Sequence, residues 1–465
     1  MTKVIFLHYN KKDMFKNSLI VRDKGFYKIF FTLTAILALQ NLITFSVNMA
    51  DSIMLGRYSE QGLAGVALVN QIQFLLQMLV MGIAEGALVF ASRAWGAKDF
   101  KTIKNITGIS IKTSFVIAFL LGLIVYLFPF QVLGLLSDEL PIVGAGVEYM
   151  KVIAFSYPIF ALSTSLIVSM RSIEKTKIGF YISIMALVSN LILNYMLIFG
   201  KFGFAELGVR GAAYATLISR ILELIVVLIY VLVFEKTVRF KILDFFKRDA
   251  QLFLAFLKRG IPVFLSNAIW GVAMAVQTAI LGHMGGVVIT ANSIAITLFQ
   301  IISVVAYAGA SSSSIIISKT IGEKKNDLIK PYNVTLQLIF VLIGLVTGAI
   351  LFSLRHLVVS FYIISDQSKD LALAFITVLS ITVVGTSYEM SGLTGIVRGG
   401  GDTSFVLIND LIFMWLIVIP SSFLAAFYFN ASPVVVFILL KSDQILKCIV
   451  AAIKLNRYTW IKRLD

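Results

Sequence analysis

The chain has 465 residues, of which 59% are hydrophobic and only 14% charged, and its mean hydropathy is +0.93. No soluble domain of this size has that composition, so the sequence describes a polytopic membrane protein. A formal net charge of +16 suggests nucleic acid, but the basic residues lie between apolar runs, where they set topology, and a nucleic-acid partner is excluded.

Apolar runs long enough to cross a bilayer as helices recur along the whole length, and the alternation of a transmembrane barrel is absent, so the fold class is all-α. The single cysteine, Cys448, excludes an intramolecular disulfide and a Cys-rich metal site. His8, His283 and His356 lie in the tail and near helix ends, so no metal or nucleophile constellation and no enzyme chemistry is visible, and no cofactor is expected.

Residues 1–26 form a basic tail without the apolar core and cleavage site of a secretory signal, and are expected in the cytoplasm. Met14 opens a more natural amphipathic start, so the expectation here is that either Met1 or Met14 begins the chain, with the first thirteen residues an upstream extension in the second case. Twelve spans follow, near 27–55, 63–92, 108–135, 145–170, 178–199, 208–234, 260–283, 288–318, 330–354, 368–397, 404–428 and 432–456. With both termini inside, about 30 of the 40 Lys and Arg fall on the cytoplasmic side and about 5 outside. The expected organisation is a six-helix bundle over 27–234, an amphipathic cytoplasmic helix over the basic linker 235–259, a second bundle over 260–456, and a cytoplasmic tail over 457–465.

The halves read as copies. Gly56 and Gly282 follow the first span of each half and Gly96 and Gly322 the second, both at a spacing of 226, and Arg171 and Arg398 follow the fourth at 227. Six spans per copy give both copies one orientation and an axis along the membrane normal, with substrate expected between the bundles.

The first span carries Gln40, Thr44, Asn48 and Asp51 within an arc of roughly 80°, with Asn41 at its edge. An ionisable group at membrane depth costs about 2.5–3.5 kcal/mol, so Asp51 must face protein or water. Its plain reading is an interfacial or capping Asp; the long polar stripe favours a functional one. Asn70, Gln73, Gln77 and Glu85 form a similar face on the second span, with Glu85 either lining an inner vestibule or partnering a basic residue. The substrate cavity is therefore expected at Gln40, Thr44, Asn48, Gln73, Gln77 and Glu85.

Asn190 and Asn194 share a face of the fifth span, as cation ligands or as interhelical hydrogen-bonding groups. Arg220 with Glu223 and Asp443 with Lys447 are spaced to neutralise one another. Glu389 and Asp410 offer either a second-half site or partners for Arg398 or a lysine. The glycines of VRGGGDT (397–403) make a tight turn, not a nucleotide motif.

NMADSIMLGR (48–57), AWGAKD (94–99), NLILNYMLIFG (190–200), GVRGAAYATLISR (208–220), RGIP (259–262), VRGGGDT and WIKRLD (460–465) stand in an order and spacing by which the chain resembles the multidrug and toxic compound extrusion (MATE) family. The resemblance implies two six-helix bundles that expose a central cavity alternately, exporting a small organic, cationic substrate while Na⁺ or H⁺ enters, as a monomer in the cytoplasmic membrane. Within it, Asp51 matches the first-helix acid that binds the coupling cation, making it a candidate Na⁺ site. Asn190 and Asn194 match companions in the fifth span, and Thr216 looks like the hydroxyl of the same site. Three departures stand out: no acid near Ala268–Trp270, an acid displaced from Ser387 to Glu389, and no proline near Ile36. The alternative within the superfamily is a flippase for lipid-linked precursors, whose cavities carry cationic groups.

Overall fold

The computed structural model describes residues 19–137, 139–362 and 364–463, with all their side chains except that of Asn48. Met14, His8 and most of the basic tail lie outside the described residues.

Helices begin where the sequence supplies caps. The Asp23 carboxylate accepts from the Gly25 N–H at 2.9 Å to open α1 (Lys24–Tyr58), Ser59 Oγ accepts from Gly62 at 3.0 Å to open α2 (Glu60–Gly96), and Asp99 from Thr102 at 3.1 Å to open α3 (Phe100–Leu127). Proline and glycine set other limits. The short α4 (Pro129–Gly134) and α5 (Leu140–Ile153) start on prolines, α5 and α6 (Ser156–Ser172) form one span bent by 54°, and α7 (Thr176–Phe199) stops at Gly200, whose φ is +62°. The first half closes with α8 (Gly208–Ile229), which runs through π-helical turns to Phe234.

The second half comprises α9 (Ala250–Gly282), α10 (Gly286–Gly322), α11 (Asn326–Ser360), α12 (Asp366–Met390, prolonged by π-helical turns to Val397), α13 (Thr403–Asp410), α14 (Ile419–Phe423), α15 (Pro433–Leu440) and α16 (Asp443–Arg457). Among the described residues ten helices are long and apolar enough to cross a bilayer, and the bent α5–α6 pair makes an eleventh. The span expected over 432–456 is interrupted at Lys441 and Ser442. Burial explains the break: Lys441, Asp443 and Lys447 are all buried, with Lys441 Nζ donating to Gln277 Oε1 at 3.0 Å and Lys447 lying 3.3 Å from Asp443. Large apolar side chains such as Phe115, Phe119, Leu123 and Leu127 of α3 stay exposed, as lipid-facing residues do. The chain is a multi-pass α-helical membrane protein of two six-span bundles.

The repeat seen in the sequence is visible where α2 and α10 cross. A Cβ at Gly96 would strike the Lys319 carbonyl, and one at Gly322 would strike the Arg93 carbonyl, so each helix presses its glycine onto the other's backbone. Both helices then end in the same turn, with Lys98 and Lys324 each at φ 58°. This crossing lies at the face where the described ends of the chain meet: Val21 N donates to Thr335, and Tyr458 Oη accepts from Asn333.

That terminal face is sealed between the halves. Arg398 Nη1 lies 2.6 Å from Glu85 Oε2, Lys319 Nζ lies 2.8 Å from Glu174, and Arg93 donates to the carbonyls of Gly400 (2.9 Å) and Lys462 (2.7 Å). The C-terminal segment is part of this seal. Trp460 is fully buried against Gly400, and Lys462 N donates to Gly400 O at 2.9 Å.

The linker differs from expectation. Instead of an amphipathic helix, residues 235–249 contain one 3₁₀ turn (Ile242–Phe246), and 250–259 are already the start of α9. Val238, Phe240 and Phe245 bury their side chains against Ile103, Val227 and Val231, while Ile242, Leu243 and Phe246 stay exposed. Asp244 is gripped by Lys104 (3.0 Å) and Lys247 (2.7 Å), and Glu235 by Lys175 (2.7 Å).

Candidate functional site

Inside the first bundle α1, α2, α5, α6, α7 and α8 surround a cavity of about 410 Å³. Helical periodicity makes it polar: Gln40, Asn41, Thr44 and Asp51 face it from α1, and Asn70, Gln73 and Gln77 from α2. It belongs to one bundle, although the repeat had pointed to the space between the two.

Asp51 sits on its wall with 9% of its surface exposed. Asn194 Nδ2 donates to Asp51 Oδ1 at 2.5 Å and also points at Asn190 Oδ1 at 3.0 Å; Asn190 Nδ2 in turn donates to Thr216 Oγ1 at 3.3 Å. A continuous chain of polar contacts thus runs from α8 through α7 to the α1 carboxylate. Asn190 and Asn194 are one helical turn apart, so one face of α7 delivers both amides. Among the described residues no cationic group lies within salt-bridge distance of Asp51, because Arg220 Nη1 is taken by Glu223 at 2.8 Å. Asn194 Oδ1, beside the carboxylate, is buried and meets no donor among the described residues.

An orphaned acceptor next to a partly satisfied carboxylate fits a cation or a proton. Asp51, Asn190, Asn194 and Thr216 together are all-oxygen in their acceptor groups, the donor type that hard monovalent cations take. No three of His, Cys, Asp and Glu converge into a cage among the described residues.

Four further residues complete the site, and the sequence had not singled them out for it. Tyr149 and Tyr157, both buried, line the cavity from α5 and α6, with the Tyr149 hydroxyl near Thr216 and Gln73. Arg220, whose guanidinium lies 4.8 Å over the Phe160 ring, and Arg171 line it too. The only sequence signal for the tyrosines was a polar tip inside an apolar run.

The remaining expected site residues fall elsewhere. Glu85 does not line the cavity; it is tied to Arg398 across the halves, the partner role that the sequence offered as one of its two readings. Asp410 is held by Lys447 at 3.0 Å, and Glu389 lies near this pair without reaching the cavity. The Asn48 side chain is outside the described part of the structure.

The sequence profile of the MatE family matches residues 37–196 and 262–424, one match per half. A protein named as a probable multidrug resistance protein NorM from Listeria innocua is 27% identical over 85% of this chain and 86% of its own length. Among solved structures, a MATE protein in the straight conformation superposes with a TM-score of 0.83 at 18% identity, covering 93% of this chain and 96% of its own. The Vibrio cholerae MATE transporter VcmN in the bent form gives 0.82 at 19% identity, with coverages of 93% and 96%.

Proposed function

The chain belongs to the MatE family of multidrug efflux transporters, and on that premise we propose that it exports small organic molecules by antiport against Na⁺ or H⁺, with Asp51 as the coupling residue. The observation that carries this reading is the Asp51–Asn194–Asn190–Thr216 chain on the cavity wall, with Asn194 Oδ1 left without a donor. A bound cation or proton supplies the positive charge that neutralises the carboxylate there. The protein's own residues do the rest. Asn194 and Asn190 orient Asp51, the apolar walls exclude bulk water, and the ionised carboxylate draws in a cationic centre when the cavity is otherwise empty.

Charged Asp51 stabilises the state in which its side of the cavity reaches water, and its neutralisation removes that preference, so the two states exchange. The seal at the terminal face supports an alternating-access cycle, since Gly96, Gly322 and the Arg398–Glu85 pair hold the halves together at that face. We assign that face to the cytoplasm, because the Lys and Arg residues concentrate there. The protein then sits in the cytoplasmic membrane with both termini inside, and works as a monomer, because each chain encloses its own cavity.

The test is efflux of a fluorescent cation from everted vesicles, with Na⁺ and pH gradients imposed separately, for wild type and Asp51→Asn. Export driven by one gradient and lost in the variant supports the assignment and names the ion; normal export by a well-inserted Asp51→Asn protein overturns it.

A further inference from the structure

The cavity is bipolar, and its second pole is a cation that the protein leaves uncompensated. Toward the terminal face, Arg171 of α6 donates from Nη2 to Gln40 Oε1 at 3.1 Å, and its Nε is buried with no acceptor among the described residues. No carboxylate of the described residues lies within 4.0 Å of it. Glu85 is within electrostatic reach, but its oxygen is engaged by Arg398. The repeat explains the vacancy. Arg171 and Arg398 are counterparts, yet the counterpart of Glu85 is Ser311, so the repeat supplies a carboxylate for Arg398 and a serine at the corresponding position for Arg171.

Charges at the two ends of the cavity therefore balance differently. At the Asp51 end, Arg220 and Glu223 cancel and one negative charge remains; at the Gln40 end, Arg171 is the lining charge and Glu85, outside the lining, is paired with Arg398. Gln40 and Asp51 are separated along α1 by about 16 Å of helix rise. Arg171 lines the cavity, and a guanidinium without a carboxylate partner beside a low-dielectric pocket is the side chain best suited to a carboxylate, sulfonate or phosphate.

We propose that Arg171, oriented by Gln40, is the subsite for an anionic group of the substrate, so that the molecules carried best are amphoteric, with the anionic end on Arg171 and the cationic end toward Asp51. The proposal rests on the export reading and refines its substrate class. Once Asp51 is neutralised, the cationic end loses its counter-charge while Arg171 keeps its own, so the ion discharges one pole of the site.

The test uses two dyes of one size: a rhodamine with a free benzoate carboxylate, which is a zwitterion, and its methyl ester, which is a cation. Binding is measured by fluorescence polarisation in nanodiscs at neutral pH, without any gradient. Wild type is expected to bind the acid about ten- to a hundredfold more tightly than the ester, the range of a charge-assisted hydrogen-bonded contact. Arg171→Gln should bring that ratio to about one, and Arg171→Lys should keep part of it. Ser311→Glu, which puts a carboxylate where the repeat lacks one, should also collapse the ratio, and it decides the matter should Arg171→Gln not fold. Equal binding of acid and ester by wild type, or an unchanged ratio in folded Arg171→Gln or Ser311→Glu protein, overturns the proposal. Gradient-driven transport of the ester is scored separately, so failure of antiport and failure of the anion subsite remain distinct.

Discussion

Gly322→Ala should weaken the seal between the two halves. The added methyl group would strike the Arg93 carbonyl, and the corresponding change at Gly96 would strike that of Lys319. An ordinary carbon–oxygen contact needs about 3.5 Å, so the helices must separate by more than an ångström at their crossing. Overpacking of this kind costs about 1–3 kcal/mol, which converts to a population shift of about 5- to 150-fold away from the sealed state. The two substitutions act on one contact and should not add. Spin labels on cysteines at Lys98 and Lys324, both exposed on the turns that end α2 and α10, read the separation directly in a Cys448→Ala background. The expected result is a longer and broader distance distribution and slower export. Gly134→Ala, where an added methyl meets nothing within 4 Å, is the control. A Gly322→Ala protein with the wild-type distribution and wild-type export would refute the reasoning, because the crossing would then not hold the halves.

Two other substitutions probe how the terminal face is built. Trp460→Ala empties the space of a fully buried side chain that covers Gly400 and bonds to the Leu455 carbonyl at 3.1 Å, and should cost about 3–5 kcal/mol locally; trypsin should then cut at Arg457 in folded protein, where wild type resists. Burial would raise the Asp244 carboxyl, but Lys247, Lys104 and the Lys241 N–H outweigh it and hold it at about 2. Against an unfolded value near 3.9, the linker's docking energy is fully present above about pH 4 and is lost as pH falls toward 2. Asp244→Asn should forfeit about 1–3 kcal/mol at neutral pH, measured as faster amide exchange over residues 238–246, with wild-type exchange protection unchanged between pH 8 and 5.

The spans and much of the polar wall were legible because helix periodicity and desolvation act along one helix at a time. Asp51 could be singled out on that ground, and Gln73 with Gln77 joined one face for the same reason. The pairs Arg220–Glu223 and Asp443–Lys447 were readable as local spacings, and the structure gives them 2.8 and 3.3 Å. What escaped depends on chain separation. Glu85 meets Arg398 across 313 positions, and nothing local decides whether a half-buried carboxylate sees water or an arginine. The linker has the composition of a surface helix, but Lys104 and Lys175 on the neighbouring bundle offered its acids better partners than lipid headgroups. The break at Lys441 was hidden because the flanking apolar runs together have the length of a span.

The repeat that relates the halves gives the position of Asp51 a different chemistry in each. Shifting Asp51 by the 226-residue spacing lands on Gln277, which faces not an orphaned amide but the Lys441 ammonium, at 3.0 Å from its Oε1. Lys441 is buried and also lies 5.6 Å from the centre of the Phe437 ring. The second half thus carries a cation fixed to its own backbone at the position where the first half presents a carboxylate and an unpartnered Asn194 oxygen. A tethered ammonium cannot leave, so at this position the second bundle holds a fixed cation, where the proposed antiport has the first bundle take up and release one. In the proposed cycle, binding and release of a mobile cation at Asp51 act on the first half, and a two-body transporter needs no more asymmetry than that to couple an ion to a conformational change.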